Sequence, residues 1–167
     1  MHRIFFFISL LFAVTFTGGC SEKSNEKNQA IDLSTDRIQA EKAAVLAVLN
    51  AETKAAFTRD YRAWQAHWVH RSDIGKTYID FRDSTMTETI GWSEIDDFVR
   101  TYLENHPEPA PLPDPLTDID LRLYGTGAWV SYEQTDPQRG KKRETRLMEK
   151  ENGKWKIAGM HTTIYGF

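Results

Sequence analysis

The chain has 167 residues, of which 40% are hydrophobic and 27% charged, with a formal net charge of −3. That length suits one domain of ordinary size. The mild acidity argues against a nucleic-acid surface, because the one basic cluster, Arg139, Lys141, Lys142 and Arg143, falls in an expected hairpin turn. A single cysteine excludes an intramolecular disulfide, so the fold must stand on its apolar core.

The chain opens with a short cationic start, Met1-His2-Arg3, then an apolar run from Ile4 to Phe16. The run is too short and wrongly flanked for a comfortable transmembrane helix. Thr17-Gly18-Gly19 then supplies the small side chains that a signal peptidase requires before its cut, and Cys20 follows directly. The pattern resembles the bacterial lipobox, with Thr17 where that motif usually has Leu. It implies a signal peptide over 1–19, a lipid on Cys20, and a protein of the bacterial cell envelope held to a membrane on its periplasmic or surface side. The alternative is an uncleaved signal anchor with an incidental cysteine. Lipidation consumes the only thiol, which excludes thiol catalysis and cysteine-based zinc sites. Residues 20–33 are polar, mixed in charge and aperiodic, and are expected to form a flexible tether. The folded domain is expected over 34–167. The choice between inner and outer membrane stays open.

From Ser34 or Thr35 to Arg59 the spacing of Ile38, Val45, Leu49 and Ala56 predicts a helix. Asp60 offers an N-cap for a short second helix carrying Tyr61, Trp64 and Trp68, which Gly75 ends. Strand formers from Lys76 to Trp92 predict two short strands turning at Asp83-Ser84. Ser93 to Asp96 looks like a capping box for a third helix, which Pro107 terminates. A proline-rich loop runs to Pro115. Four antiparallel strands follow, with turns at Gly125-Thr126-Gly127, at 136–140 and at Asn152-Gly153, the last a strong type I′ signal. Segregated helices and strands indicate an α+β class.

That order is joined by particular words: residues 55–64, Trp68-Val69-His70, Gly91-Trp92-Ser93-Glu94-Ile95, Ala128-Trp129-Val130, Glu144-Thr145-Arg146 and Gly153-Lys154-Trp155-Lys156-Ile157. Together they resemble the SnoaL-like proteins of the nuclear-transport-factor-2-like superfamily over about residues 35 to 165. The resemblance implies a cone-shaped fold in which three N-terminal helices pack on a curved antiparallel sheet and the open end holds a ligand or catalytic site. The superfamily includes ketosteroid isomerase, polyketide cyclases, dehydratases and non-catalytic binding modules, so membership does not choose a function. The isomerase pattern needs a tyrosine oxyanion donor in the first helix, and that position falls near Glu52. Its strand aspartate is matched by Asp80 only after allowing an insertion. An acidic base without its oxyanion donor is half a site. Asp80 reads more simply as a solvated strand residue.

His70, at the predicted cone mouth, and His161, on the last strand, are candidate acid–base groups. Trp155, Ile157, Gly159 and His161 share a face by simple alternation, which points His161 inward. The plainer reading of each is a satisfied core histidine. His67 and His70 stand three apart with Asp73 near, but no metal-binding word accompanies them, so neither a metal nor any other cofactor is expected. Glu133 and Arg146 on neighbouring strands can form a buried pair gripping a polar ligand, or a cross-strand salt bridge on the outer face. Among the aromatics, Trp68, Tyr78, Trp92 and Tyr132 are pocket-wall candidates beside a largely structural set. The leading reading is a membrane-tethered domain binding a small, partly apolar ligand. The alternatives are a cyclase, isomerase or dehydratase using His70 or His161, and a homodimeric interaction module joined through the outer sheet face on the strands of Leu121 and Trp129.

Overall fold

The computed structural model describes the backbone of residues 23–166 and the side chains of 35–166. Cys20 and the expected signal peptide lie outside the described residues. Among the described residues, 36–166 form one compact unit, and 23–35 lie outside it. Helix α1 spans Lys23–Phe57, α2 Tyr61–Ala66, and α3 Trp92–Asn105; the strands are β1 Gly75–Asp80, β2 Thr85–Ile90, β3 Asp120–Tyr124, β4 Gly127–Asp136, β5 Gly140–Glu151 and β6 Lys154–Ile164. The backbone of 23–33, within the expected tether, is part of α1.

The six strands form one sheet in the order β2-β1-β6-β5-β4-β3. It is mixed, because β1 runs parallel to β6 while every other pair is antiparallel. Only α1 and α2 precede the strands; α3 follows the β1–β2 hairpin and packs on it. The expectation of three N-terminal helices on a purely antiparallel sheet is corrected on both points. The parallel pairing arises because the crossover from β1 through β2, α3 and the long meander returns the chain beside β1 in the same direction.

Helix α1 buries Val45 and Leu49 completely, and the core continues through Trp64, Trp68, Ile74, Ile95, Val130, Met148 and Ile157. Each such side chain contributes about 1.5–3 kcal/mol by leaving water. Asp60 caps α2 by accepting from the Ala63 N–H at 2.9 Å. The cap of α3 differs from the sequence expectation: Gly91 is the N-cap, and the Glu94 carboxylate reaches back to the Ile90 N–H at 2.9 Å. The proline-rich loop is pinned to α1 by Asn50, whose amide donates to the Leu116 carbonyl at 3.0 Å and accepts from its N–H at 2.8 Å. Lys150 and Trp155 both donate to Glu41, tying the central strands β5 and β6 to the same helix. At the β5–β6 hairpin, Asn152 and Gly153 both have positive φ, as a type I′ turn requires.

One irregularity decides which side chains face inward. The β5–β6 register steps from Leu147 opposite Gly159 to Met148 opposite Ile157, so Ala158 is an extra, bulged residue in β6. A bulge resets the alternation. Trp155 and Ile157 are buried before it; Ala158, Thr162 and Ile164 are buried after it. His161 is thereby turned to the opposite, exposed face.

Candidate functional site

A cavity of about 400 Å³ lies between α1, α3, β1 and the inner faces of β5 and β6. This volume is within the usual range for small-molecule sites. Ala56 and Phe57 of α1, Phe98, Val99 and Leu103 of α3, Trp64 of α2 and Met160 of β6 give it apolar walls. Its floor is charged and almost entirely buried.

The floor is built by period-two alternation meeting a helix stripe. On β5, Lys142, Glu144 and Arg146 occupy successive inward positions and are all buried. On α1, Glu52 sits between Leu49 and Ala56 on the core-facing stripe and is 5% exposed. The Glu144 carboxylate accepts from Tyr132 Oη at 2.6 Å and from Arg146 Nε and Nη2 at 2.9 and 2.6 Å; its other oxygen pairs with Lys142 Nζ at 2.7 Å. Glu52 Oε1 accepts from the indole N–H groups of Trp64 and Trp68 at 2.9 and 3.2 Å, and Oε2 lies 3.6 Å from Arg146 Nη2. Burial alone would raise the Glu144 pKa, but the charges of Arg146 and Lys142 outweigh it and hold the carboxyl well below its usual range. Arg146 is correspondingly held above its ordinary value, burial opposing and Glu144 dominating. Burial is also the main force pushing the Tyr132 hydroxyl well up.

Lys76 and Tyr78 project into the cavity from β1. Lys76 Nζ stands 4.2 Å from the centroid of the Phe98 ring and 5.8 Å from that of Tyr78. Among the described residues it has no carboxylate partner. Burial, reinforced by the Arg146 charge and only partly offset by Glu52 and Glu144, lowers its pKa to about 8. The Tyr78 hydroxyl accepts from Arg139 Nη1 at 2.6 Å, yet burial pushes its pKa up to about 12 against the pull of that guanidinium. Asp80, expected as a solvated residue, is 3% exposed and lines the cavity. Its carboxylate accepts from the Arg82 N–H at 3.0 Å and lies 3.5 Å from Arg82 Nη2. Asp136 closes the β4–β5 turn by accepting from the Gln138 and Arg139 N–H groups.

Of the residues singled out from sequence, Tyr78, Arg146 and Asp80 line the cavity. Tyr132 lies beneath it, bonded to Glu144. Trp68 is fully buried behind Glu52, and Trp92 is stacked between Trp64 and His70, so neither is a wall. His70 is exposed, its ring 3.8 Å from that of Trp92 and its Nε2 2.9 Å from the Gln65 carbonyl. The two imidazoles do not converge, since His161 is turned outward by the Ala158 bulge and lies beside Thr163. Glu133 also faces out, bound by Arg143 at 2.8 Å and the Tyr165 hydroxyl at 2.7 Å. Alternation already forbade its joining the pocket with its neighbour Tyr132. Glu133 therefore pairs across the outer face, and Arg146 pairs with Glu144 instead. Among the described residues no group of three or more His, Cys, Asp or Glu side chains is arranged to hold a metal ion.

Sequence reasoning missed Glu52, Lys76, Lys142 and Glu144 as site residues. Glu52 carried a signal, being one charge within the stripe Val45, Leu49, Ala56. Lys142 and Glu144 carried none, because charges at alternate positions ordinarily mark a solvated face.

The sequence and the fold match known proteins closely enough to define a class. The family model for the SnoaL-like domain matches residues 45–165, well over half the chain, and the protein belongs to that family. No curated protein matches it in sequence. Among solved structures it resembles a cystatin-like fold protein from Burkholderia xenovorans, with a TM-score of 0.57 and 20% identity over 75% of this chain and 92% of that one. It resembles an NTF2-like protein of unknown function from Shewanella baltica, with a TM-score of 0.53 and 19% identity over 74% and 94%. A third is a putative dehydratase from the NTF2-like family of Streptomyces avermitilis, with a TM-score of 0.58 and 14% identity over 76% and 97%. At these identities the likeness establishes the NTF2-like α+β fold, with its curved mixed sheet, and nothing finer.

Proposed function

We propose that the protein is a lipid-anchored component of the bacterial cell envelope whose SnoaL-like domain binds a small, partly apolar molecule. The observation that carries the binding role is the 400 Å³ cavity, in which apolar walls converge on a few buried polar groups. The anchor rests on the sequence around Cys20 alone. Among the described residues no helix is long and apolar enough to cross a membrane. Replacing Cys20 with Ser is expected to abolish acyl labelling and move the protein from the detergent phase to the aqueous phase; unchanged partitioning would remove the anchor.

Native mass spectrometry of the full chain, before and after exposure to bacterial envelope extract, tests the binding role. A reproducible small-molecule adduct that weakens in Phe98→Ala, with folding intact, is the expected result. An adduct indifferent to the cavity wall, or none at all, would contradict it.

A second reading, a homodimer through the outer sheet face, is favoured by one observation. Trp129 and Leu147 are opposite each other in register on that face and are 48% and 44% exposed. Sedimentation of wild type against Trp129→Lys tests it: a dimer that the substitution dissociates supports this reading, and a concentration-independent monomer rejects it.

A further inference from the structure

The buried floor of the cavity has a lopsided hydrogen-bonding capacity. Of its two carboxylates, Glu144 is bonded through both oxygens, and Glu52 is bonded through one while the other only faces Arg146 at 3.6 Å. Glu144 receives Tyr132, Arg146 and Lys142, and Glu52 receives two indole N–H groups on one oxygen and faces Arg146 with the other. Two cationic groups of the cavity have donors to spare. Arg146 is 3% exposed, and its Nη1 has no partner. Lys76 Nζ, lining the same cavity, makes no ion pair and rests against the face of Phe98. A buried guanidinium N–H without an acceptor costs about 1–3 kcal/mol or more, and an unpaired ammonium is similarly disfavoured. The natural complement to an unfilled guanidinium N–H and an ammonium lining the same cavity is an acceptor group bearing negative charge, and a planar carboxylate suits the guanidinium best.

We infer that the ligand of this cavity is a small carboxylic acid with a flat apolar body, its carboxylate received by Arg146 and Lys76 and its body lying between Phe98, Ala56 and Met160. The inference rests on reading the cavity as a ligand site and names the ligand's chemistry. Elsewhere on the lining, Arg139 donates through Nη1 to the Tyr78 hydroxyl, Arg59 to the Glu108 carbonyl, and Asp80 is engaged by Arg82. The floor's charges, Lys76, Lys142 and Arg146 against Glu52 and Glu144, leave one positive charge in excess, which disfavours a cationic ligand.

Isothermal titration of the full chain with 2-naphthoate, and separately with the neutral 2-naphthamide, tests the inference. The acid is expected to bind at least tenfold more tightly than the amide. Lys76→Met, which replaces a charge with an apolar chain of similar length, should reduce acid binding about tenfold and leave amide binding unchanged. Acid affinity of the wild type should also fall between pH 7 and pH 9.5, and that dependence should vanish in Lys76→Met. The charged and titratable groups facing Lys76 are Glu52 from α1, Glu144 and Arg146 from β5, Arg139 from the β4–β5 turn and Tyr78 from its own strand. Equal affinity for acid and amide would overturn the carboxylate inference while leaving the cavity as a ligand site. An acid preference that survives in Lys76→Met and in Arg146→Lys, both shown folded by their urea transitions, would also overturn it. Failure of both probes to bind would remove the cavity reading as well.

Discussion

Replacing Lys76 with Met should make the unliganded protein more stable, although Lys76 belongs to the site. Its ammonium is held against Phe98 with no anionic partner, and its pKa falls from 10.5 to about 8. A folded-state pKa depressed in a basic group means that the unfolded chain binds the proton more tightly. The penalty is therefore fully present below about pH 8, and it is relieved as pH rises towards 10.5. At about 1.4 kcal/mol per unit, the shift corresponds to at most about 3–4 kcal/mol. The cation–π contacts with Phe98 and Tyr78 return about 0.5–2 kcal/mol, and water in the open cavity screens some of the rest. A net gain of about 1–2 kcal/mol is expected for Lys76→Met at pH 7, read as a higher urea midpoint at unchanged slope. The gain should shrink to near zero by pH 10.5. Tyr61 and Tyr78, both pushed up to about 12, are common to the two proteins and cancel in the difference. A Lys76→Met variant less stable than wild type at pH 7, or a gain independent of pH, would refute the assignment of Lys76 as an uncompensated cation.

The remaining expectations concern the network beneath it. Arg146→Met should cost about 3–5 kcal/mol in a urea unfolding experiment, because it leaves buried Glu144 with Lys142 as its remaining ion-pair partner and removes the one guanidinium that faces Glu52. Because the folded-state pKa of Glu144 is depressed, its contribution is present above the ordinary glutamate value near 4.3 and is lost as pH falls below it. Wild type should accordingly lose stability more steeply than Glu144→Gln between pH 5 and pH 2.5, followed by circular dichroism. His161→Ala should change thermal stability by no more than about 0.5 kcal/mol and leave naphthoate binding unaltered, because the imidazole is exposed on the outer face. A tenfold loss of binding on that substitution would place the site elsewhere.

Much of the fold was legible because its signals are local. Helix stripes, the Asp60 cap, the Pro107 stop and the Asn152-Gly153 turn each follow from backbone chemistry within a few residues. The parallel β1–β6 pairing was not, since it is a tertiary outcome with no short-range signature. The site was harder to read for two physical reasons. The first is the Ala158 bulge, which shifts the parity of β6 so that counting from Trp155 assigns His161 to the wrong face. The second is inversion of the usual hydropathy rule on β1 and β5. There Lys76, Lys142, Glu144 and Arg146 face inward while Thr77, Ile79 and Leu147 face the other side. Alternation alone identified the sets, but only the packed helix α1 showed which set was covered. Glu52, the one charge in the α1 stripe, was the clue that the covered face was polar.

The central claim is that the cavity is a binding site, and the methionines report on it directly. Met160 lines the cavity, Met148 is fully buried outside its lining, and Met86 is 65% exposed on β2. With the methionine methyls labelled with carbon-13, titration with 2-naphthoate should move the Met160 resonance through the ring current of the bound naphthalene and leave Met86 in place. A shift confined to Met86, or no saturable shift at Met160, would contradict the claim.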